Sequence, residues 1–192
     1  MTTFPAPAGS RLTTALINHM YANADSVTTT VTAASLTDLS NIYTIPASDA
    51  AAGTAYRLSA FGNGTWGSTA QTLQFAACLA GSAVGSNPPT IGSSAFSTST
   101  AFRWDAQILL ICATSGSTGT WYARINGSLS AYNTTLLPNT GSQCTLAFSY
   151  SNTTAVTQDT TVANTLSVRA AWGSTTGSPT LTCHGTTFER LG

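Results

Sequence analysis

The chain has 192 residues with six arginines, no lysine and six acidic residues, so its formal net charge is zero. Only 6% of its residues are charged, whereas an average soluble domain has about 25%, and nucleic-acid binding draws its affinity from clustered Lys and Arg. This composition argues against nucleic acid as a partner, and the 42% of hydrophobic residues argues against a disordered chain.

The N-terminal region predicts neither a signal peptide nor a membrane segment. The run MTTFPAPAGSRLTTALINHMY has no basic region followed by an unbroken apolar stretch, and no segment of the chain reaches the ~18 apolar residues of a membrane span. We therefore expect synthesis in a cytoplasm and no membrane partner. Because a near-neutral protein lacks the repulsion that keeps copies apart, we also expect self-association.

One stretch, residues 10–21, has helical periodicity, with Ser10 in position to cap it. The apolar residues on its face are Leu12, Leu16, Ile17 and Met20. This stretch precedes all predicted strands. We therefore predict an N-terminal arm or short helix within residues 1–25, which could dock on a neighbour, and a β-sandwich domain over residues 26–192.

From residue 26 onward, runs rich in β-branched and aromatic residues alternate with clusters of Gly, Asn, Ser and Pro, which is typical of strands and turns. The predicted strands lie near residues 26–33, 41–46, 54–62, 70–80, 100–114, 119–131, 143–150, 163–173 and 179–190. Eight or nine such strands predict an all-β fold, a two-sheet sandwich or jelly roll.

Alternation is clearest over residues 102–112, where the even positions are apolar and Arg103 and Asp105 point to the other face. Residues 166–172 repeat this pattern. The letters LLIC (109–112) are apolar on both faces, which predicts a strand end that is covered on both sides or lies at a subunit contact.

Two stretches resemble each other: YRLSAFGNGTWGS (56–68) and LSVRAAWGSTTGS (166–178). Each carries an Arg and ends in an aromatic-Gly pair before a Gly-rich turn, so we interpret both as hairpins. The first also matches G-x-G-x-x-G (62–67), but no helix follows and no acid lies about 20 residues further on. A hairpin turn at Asn63-Gly64 is favoured over a dinucleotide site.

No residue pattern indicates catalysis, a metal or a cofactor. His184 stands beside Cys183, but the only other histidine, His19, lies in the predicted arm, and a metal site needs three or four convergent ligands. The six acids form no close pair of the kind that glycosidases use. We predict that the protein is not an enzyme and that turn capping explains acids such as Asp49 and Asp159.

The four cysteines each lie inside an apolar run. They are Cys78, Cys112, Cys144 and Cys183. We interpret them as buried free thiols, with one or two disulfides as the alternative.

Aromatic residues could form a stacking platform for sugars, although in all-β proteins they more often lie in a core or an interface. The candidates are Trp66, Trp121, Tyr122 and Tyr132. The loop 81–100, whose Pro88 and Pro89 bar a central strand, is predicted at one end of the sandwich, where binding loops are usually found.

The order of several segments resembles virion structural proteins of tailed bacteriophages. The matching runs are TTTVTAASLTDLSNIYTIPASDAAAGTAYRLSAFGNGTWGS, QTLQFAACLAG, AFRWDAQILLICAT and DTTVANTLSVRAAWGSTTGSPTLTCHGTTFERL. The similarity covers nearly everything after residue 26. It implies a TNF-like jelly roll that forms a homotrimer on the virion, as a head-decoration (cement) protein or a tail or fibre component, without a catalytic site.

On this basis we expect a homotrimer that binds the major capsid protein on the capsid surface and stabilises the head. The residues expected at the trimer interface are Phe102, Trp104, Trp121, Tyr150 and Trp172. The residues expected in the capsid-contact arm are Phe4, Arg11, Leu12, Leu16, Ile17 and Met20. The alternative is a tail- or fibre-associated module that binds a host-surface glycan; a depolymerase is the weakest hypothesis because acids are scarce.

Overall fold

The described part of the chain forms two antiparallel sheets and contains no helix. The computed structural model describes residues 23–26, 29–69, 71–85, 90–91, 99–132 and 143–191. Its strands are β1 (Asn23–Ser26), β2 (Thr30–Val31), β3 (Thr37–Asp38), β4 (Tyr43–Ile45), β5 (Ala55–Thr65), β6 (Leu73–Leu79), β7 (Ser82–Ala83), β8 (Thr90–Ile91), β9 (Ala101–Thr114), β10 (Thr120–Tyr132), β11 (Gln143–Ser151), β12 (Val156–Thr157), β13 (Asn164–Trp172) and β14 (Thr180–Arg190). The predicted all-β sandwich is confirmed.

The larger sheet has the order β1-β14-β5-β9-β10-β11, with β2 also beside β14 and β12 also beside β10. The smaller sheet has the order β3-β13-β6-β7, with β4 also beside β13 and β8 also beside β6. Neighbours such as β14 and β5, or β13 and β6, are far apart in sequence because the chain passes repeatedly between the sheets. Within the larger sheet, β9, β10 and β11 form a meander.

The predicted helix over residues 10–21 lies outside the described residues. The first described strand, β1, pairs with β14 and begins at Asn23, so it lies mostly within the segment predicted as an arm. The sheet therefore includes residues ahead of the boundary placed at residue 26.

The core lies between the two sheets and is rich in aromatic rings. Phe75 of the smaller sheet contacts Trp104 and Phe148 of the larger one, with ring centroids 5.6 and 4.9 Å apart. Tyr43 of the smaller sheet likewise stacks on Phe188 of the larger sheet, with ring centroids 5.0 Å apart. The even positions of β9 from Phe102 to Cys112 are buried and its odd positions are half-buried or exposed, which confirms the alternation predicted over residues 102–112.

The two similar stretches are not hairpins. β5 belongs to the larger sheet and the next strand, β6, to the smaller one, whereas β13 and β14 make the same crossing in the opposite direction. Each crossing begins with a Trp-Gly pair, Trp66-Gly67 and Trp172-Gly173. The predicted hairpins are wrong because an aromatic-Gly pair ends a strand without specifying which sheet the next strand joins.

The predicted turn at Asn63-Gly64 is also wrong, because both residues lie inside β5 and pair with β14 and β9. On β9, Trp104 is the register partner of Gly62 and Phe102 that of Gly64. A Cβ on Gly62 would lie 1.9 Å from the carbonyl oxygen of Thr182, and one on Gly64 would lie 2.5 Å from the Phe102 ring. These glycines therefore make room for aromatic rings that cross the strand.

Candidate functional site

Four of the five residues predicted at a trimer interface lie in the core of the single chain. Phe102 and Trp104 are 3% exposed, Trp172 is 1% exposed and Trp121 is fully buried. The indole N–H groups also find acceptors within the chain: Trp121 donates to the carbonyl of Gln158 at 3.1 Å and Trp172 to that of Val31 at 3.2 Å. These side chains have almost no free surface that a second copy could contact. The prediction of a trimer interface is therefore wrong for these four residues.

The fifth residue, Tyr150, is half-buried on β11 and packs against the core. Its ring lies close to Gly85, where an added Cβ would approach the ring within 2.9 Å. Tyr150 thus bridges the two sheets at their β11 and β7 edges, and its interface role stays a prediction. The arm residues Phe4, Arg11, Leu12, Leu16, Ile17 and Met20 lie outside the described residues.

The proposed sugar platform does not form from the tryptophans. Trp66 and Trp121 are fully buried, whereas Tyr122 is 41% exposed. The side chain of Tyr132 is outside the described part. Of the loop 81–100, the described strands β7 and β8 lie beside β6 in the smaller sheet.

The best-formed polar cluster lies on the smaller sheet, where Asp38 and Arg169 are register partners. The Arg169 guanidinium donates to both carboxylate oxygens of Asp38, at 2.7 and 3.1 Å, and the Ser167 hydroxyl donates to the same carboxylate at 2.6 Å. Burial by itself would raise the pKa of Asp38, but these hydrogen bonds outweigh it and hold the pKa below its usual value. The carboxylate is ionised and fully engaged, which suits a structural ion pair.

Two further ion pairs flank the larger sheet. Arg57 of β5 contacts Glu189 of β14 at 2.6 Å, and Arg190 contacts Asp49 at 3.2 Å. Asp49 also accepts a hydrogen bond from the buried Tyr56 hydroxyl at 2.7 Å. Burial and this neighbouring carboxylate raise the pKa of Tyr56, so the phenol stays protonated. Asp49 therefore anchors a loop to two strands, and its predicted role as a turn cap stays a prediction.

Asp159 does form the predicted cap. Its carboxylate accepts hydrogen bonds from the backbone N–H of Thr161 at 2.8 Å and from the Thr161 hydroxyl at 2.7 Å. This is an Asx turn, and it leads the chain towards β13.

The cysteines and His184 do not converge. Cys78, Cys112 and Cys183 are buried free thiols, as predicted, whereas the side chain of Cys144 is not among those described. His184 is the extra residue of a bulge in β14 and its side chain is exposed. Within the described ranges, no group of three or more His, Cys, Asp or Glu residues could hold a metal ion.

Two open hollows mark the surface near the crossings. One of about 440 Å³ is lined mainly by hydroxyl-bearing residues, including Thr32, Thr175 and Ser178. The other, of about 180 Å³, is lined by residues that include Gln74 and Thr90. The described residues that line these two hollows include no charged side chain.

The feature that sequence reasoning missed is the outer face of the larger sheet, meaning the side that points away from the smaller sheet. Large apolar side chains stand exposed there: Phe61, Ile111, Tyr122 and Leu191. The one sequence signal was the LLIC run, in which Ile111 occupies an odd, outward position. Phe61 lies inside the predicted strand 54–62, but no sequence signal singled it out, because one phenylalanine in a strand is more typical of the core than of an exposed face.

Comparisons with protein-family models, with curated proteins and with solved structures found no match. Among the residues that the structure describes, no helix has the length and apolar character to cross a membrane.

Proposed function

We propose that this protein is a non-enzymatic structural protein of a tailed-phage virion, a homotrimer that binds the major capsid protein and stabilises the head. The carrying observation is that acids of the sandwich are engaged in structure. Asp38, Asp49 and Glu189 form ion pairs with arginines, and Asp159 caps a turn. Acids that are held in ion pairs or in a turn cap stabilise the fold, which supports a structural role.

The remaining support comes from the surface composition and the connectivity. A chain without lysine and with a single glutamate has few side chains that lose much rotamer freedom on contact. Such a surface can be buried at low entropic cost, which suits permanent contacts with other subunits. The two-sheet sandwich is compatible with the jelly roll that the segment resemblance implies.

The mechanism would be mechanical. A trimer seated where several capsid subunits meet adds contact area between them and opposes the internal pressure of packaged DNA. Apolar contact contributes about 25 cal/mol per Å² before the cost of association is subtracted. Head binding would therefore depend weakly on salt, because few charges are available to be screened.

The test uses expanded, DNA-free heads of the phage that encodes the chain. Purified protein is mixed with heads, sedimented, and the heads are imaged by cryo-electron microscopy for added density of about 20 kDa per copy. Saturable binding at defined capsid positions supports the proposal. Failure to bind heads, together with binding to host cells that free cell-wall glycan competes away, overturns it in favour of the adhesion alternative.

A second measurement separates the arm from the sandwich. A variant lacking residues 1–21 is expected to keep its oligomeric state and lose head binding. Retained head binding would contradict the assignment of the capsid contact to the arm while leaving the decoration role intact.

A further inference from the structure

Exposed apolar side chains are concentrated on the outer face of the larger sheet. In the described part of the chain, the large hydrophobic residues with the greatest exposure are Ile42, Phe61, Ile111, Tyr122, Val162 and Leu191. Four of these six lie on or beside this one face, whereas Ile42 and Val162 lie in loops outside the larger sheet. Single exposed apolar residues are ordinary, but a concentration on one face marks an interaction surface.

The apolar residues of this face fall into two areas. In the first, Tyr122 of β10 is the register partner of Ile111 of β9, and Ile111 is that of Ala55 on β5. Leu191 joins this area, since its N–H donates to the carbonyl of Ala55 at 2.8 Å.

The second area is centred on Phe61, which is 56% exposed. Its register partner on β9 is Asp105, six positions before Ile111. At about 3.3 Å per residue, the two areas are separated by about 20 Å along the strand.

The surface around the two areas carries polar side chains and charged side chains of both signs. Hydroxyl and amide residues such as Ser59, Gln107 and Ser149 occupy about half of the outward positions, and they are half-buried or exposed. Arg57 is paired with Glu189 at 2.6 Å, and Asp105 accepts a hydrogen bond from Ser128. Arg103 of β9 and Arg124 of β10 are also exposed at outward positions of this face. With three arginines set against Asp105 and Glu189, the charges nearly balance, so repulsion between two copies is weak.

We propose that the outer face of the larger sheet is the self-association surface of this protein and that its partner is a second copy of the chain. This inference rests on the proposed homotrimer and deepens it by replacing the buried tryptophans with a different contact. In a closed ring each copy meets its two neighbours through two different patches. The outer face is one of these two patches, and both apolar areas lie within it.

The area of the face is large enough for a stable contact with a second copy of the chain. Five neighbouring strands spaced by about 4.8 Å, followed over about eleven residues, present about 900 Å². A standard stable interface buries about 800 Å² on each partner. The face is thus large enough to hold copies together without the buried aromatic residues.

The test compares exposed apolar residues on and off this face. Ile111→Glu and Phe61→Glu each place a charge in one proposed area, and Ile42→Glu places the same charge on a residue that is 55% exposed in a loop outside the sheet. Oligomer mass and dissociation constant are measured by sedimentation. We expect each face variant to raise the dissociation constant at least about 30-fold, because a desolvated unpaired charge is costly, and Ile42→Glu to leave it unchanged.

The outcomes separate this inference from the proposed function. Face variants that assemble like the wild type overturn the inference while the trimer stands. A monomeric wild-type protein overturns the proposed homotrimer itself. Face variants that keep their mass and lose head binding also overturn the inference, because the face would then contact the capsid. If a Glu variant fails to give the wild-type circular dichroism spectrum, Ile111→Thr and Phe61→Thr, which suit strands, replace it.

Discussion

The indole rings of Trp66 and Trp172 meet edge to face, with their centroids 5.3 Å apart and their planes at 81°. Trp66 follows β5 and Trp172 ends β13, so the contact joins the points at which the chain leaves each sheet for the other. Both rings also contact Phe102, at 5.8 and 6.4 Å. Close by, the N–H of Ser68 donates to the carbonyl of Gly177 and ties the two crossings together.

Replacing one of these rings should destabilise the whole sandwich. We expect Trp172→Ala to lower the free energy of unfolding by about 3–5 kcal/mol, because it leaves a cavity between the sheets. Urea unfolding followed by circular dichroism measures the loss. The control is Val162→Ala, a truncation at a 48% exposed position just before the same strand, which should cost less than about 0.5 kcal/mol. Equal losses would contradict the proposed role of the tryptophan contact.

The alternation of apolar residues was enough to predict long strands such as β9 and β13 and their buried faces. It predicted β9 and β13 within one residue at each end and assigned Arg103 and Arg169 to the correct sides. The reason is that a half-buried strand has a period of two, which is a local property of the sequence. The sheet that each strand joins is not local, and for that reason the crossings after Trp66 and Trp172 were predicted as hairpins.

The interface prediction failed for a related reason. Phe102 and Trp104 belong to a strand whose apolar face could have covered either the chain's own second sheet or another subunit. Sequence alone does not distinguish these two partners, because burial removes the same apolar surface from water in both cases. The structure places these rings inside the chain and leaves Ile111, on the opposite side of the same strand, exposed.

A methyl group added at Gly62 should be costly even though this residue lies in an ordinary strand conformation. The added Cβ would meet the carbonyl oxygen of Thr182 and the indole nitrogen of Trp104, at 1.9 and 2.9 Å. We expect Gly62→Ala to lower the free energy of unfolding by about 1–3 kcal/mol through overpacking. Thermal unfolding provides the measurement.

The matched control for Gly62 is Asn63→Ala, the next residue on the same strand, whose side chain points outward and is exposed. Its substitution should change stability by no more than about 0.5 kcal/mol. If Gly62→Ala proved as stable as the wild type, the tight crossing of Trp104 over the strand would be refuted.

The ion pair between Asp38 and Arg169 predicts a specific pH dependence. Since the pKa of Asp38 is lowered in the folded state, its stabilisation is present above the ordinary aspartate pKa of 3.8 and is lost as the pH falls through the lower folded value. The side chains remain 30% and 23% exposed, so the pair should contribute only about 1 kcal/mol.

Asp38→Asn should therefore lower stability at pH 7 and approach the wild type in acid. Denaturant unfolding at about pH 7, 5 and 3 measures the difference between the two proteins. The control is the double variant Asp38→Asn with Arg169→Gln, which should lose more than Asp38→Asn alone only through the hydrogen bond from Arg169 to the Gly81 carbonyl at 2.6 Å, a loss that does not change with pH. A stability difference that stayed constant across this pH range would contradict the ionised pair.

The buried thiols predict slow chemical labelling of the folded protein. Cys78 is 1% exposed, and Cys112 and Cys183 are fully buried. Burial raises the pKa of Cys78 to about 11 and also raises the pKa values of the other two thiols. Because the thiolate is the reactive form, iodoacetamide at pH 8 should label all three at least about 100-fold more slowly in the native protein than in urea. Peptide mass spectrometry locates each label and reads Cys144 separately as an internal comparison. Rapid labelling of Cys78 in the folded protein, or a disulfide-linked peptide containing any of the three, would show that these thiols are not the small buried hydrophobes of the core.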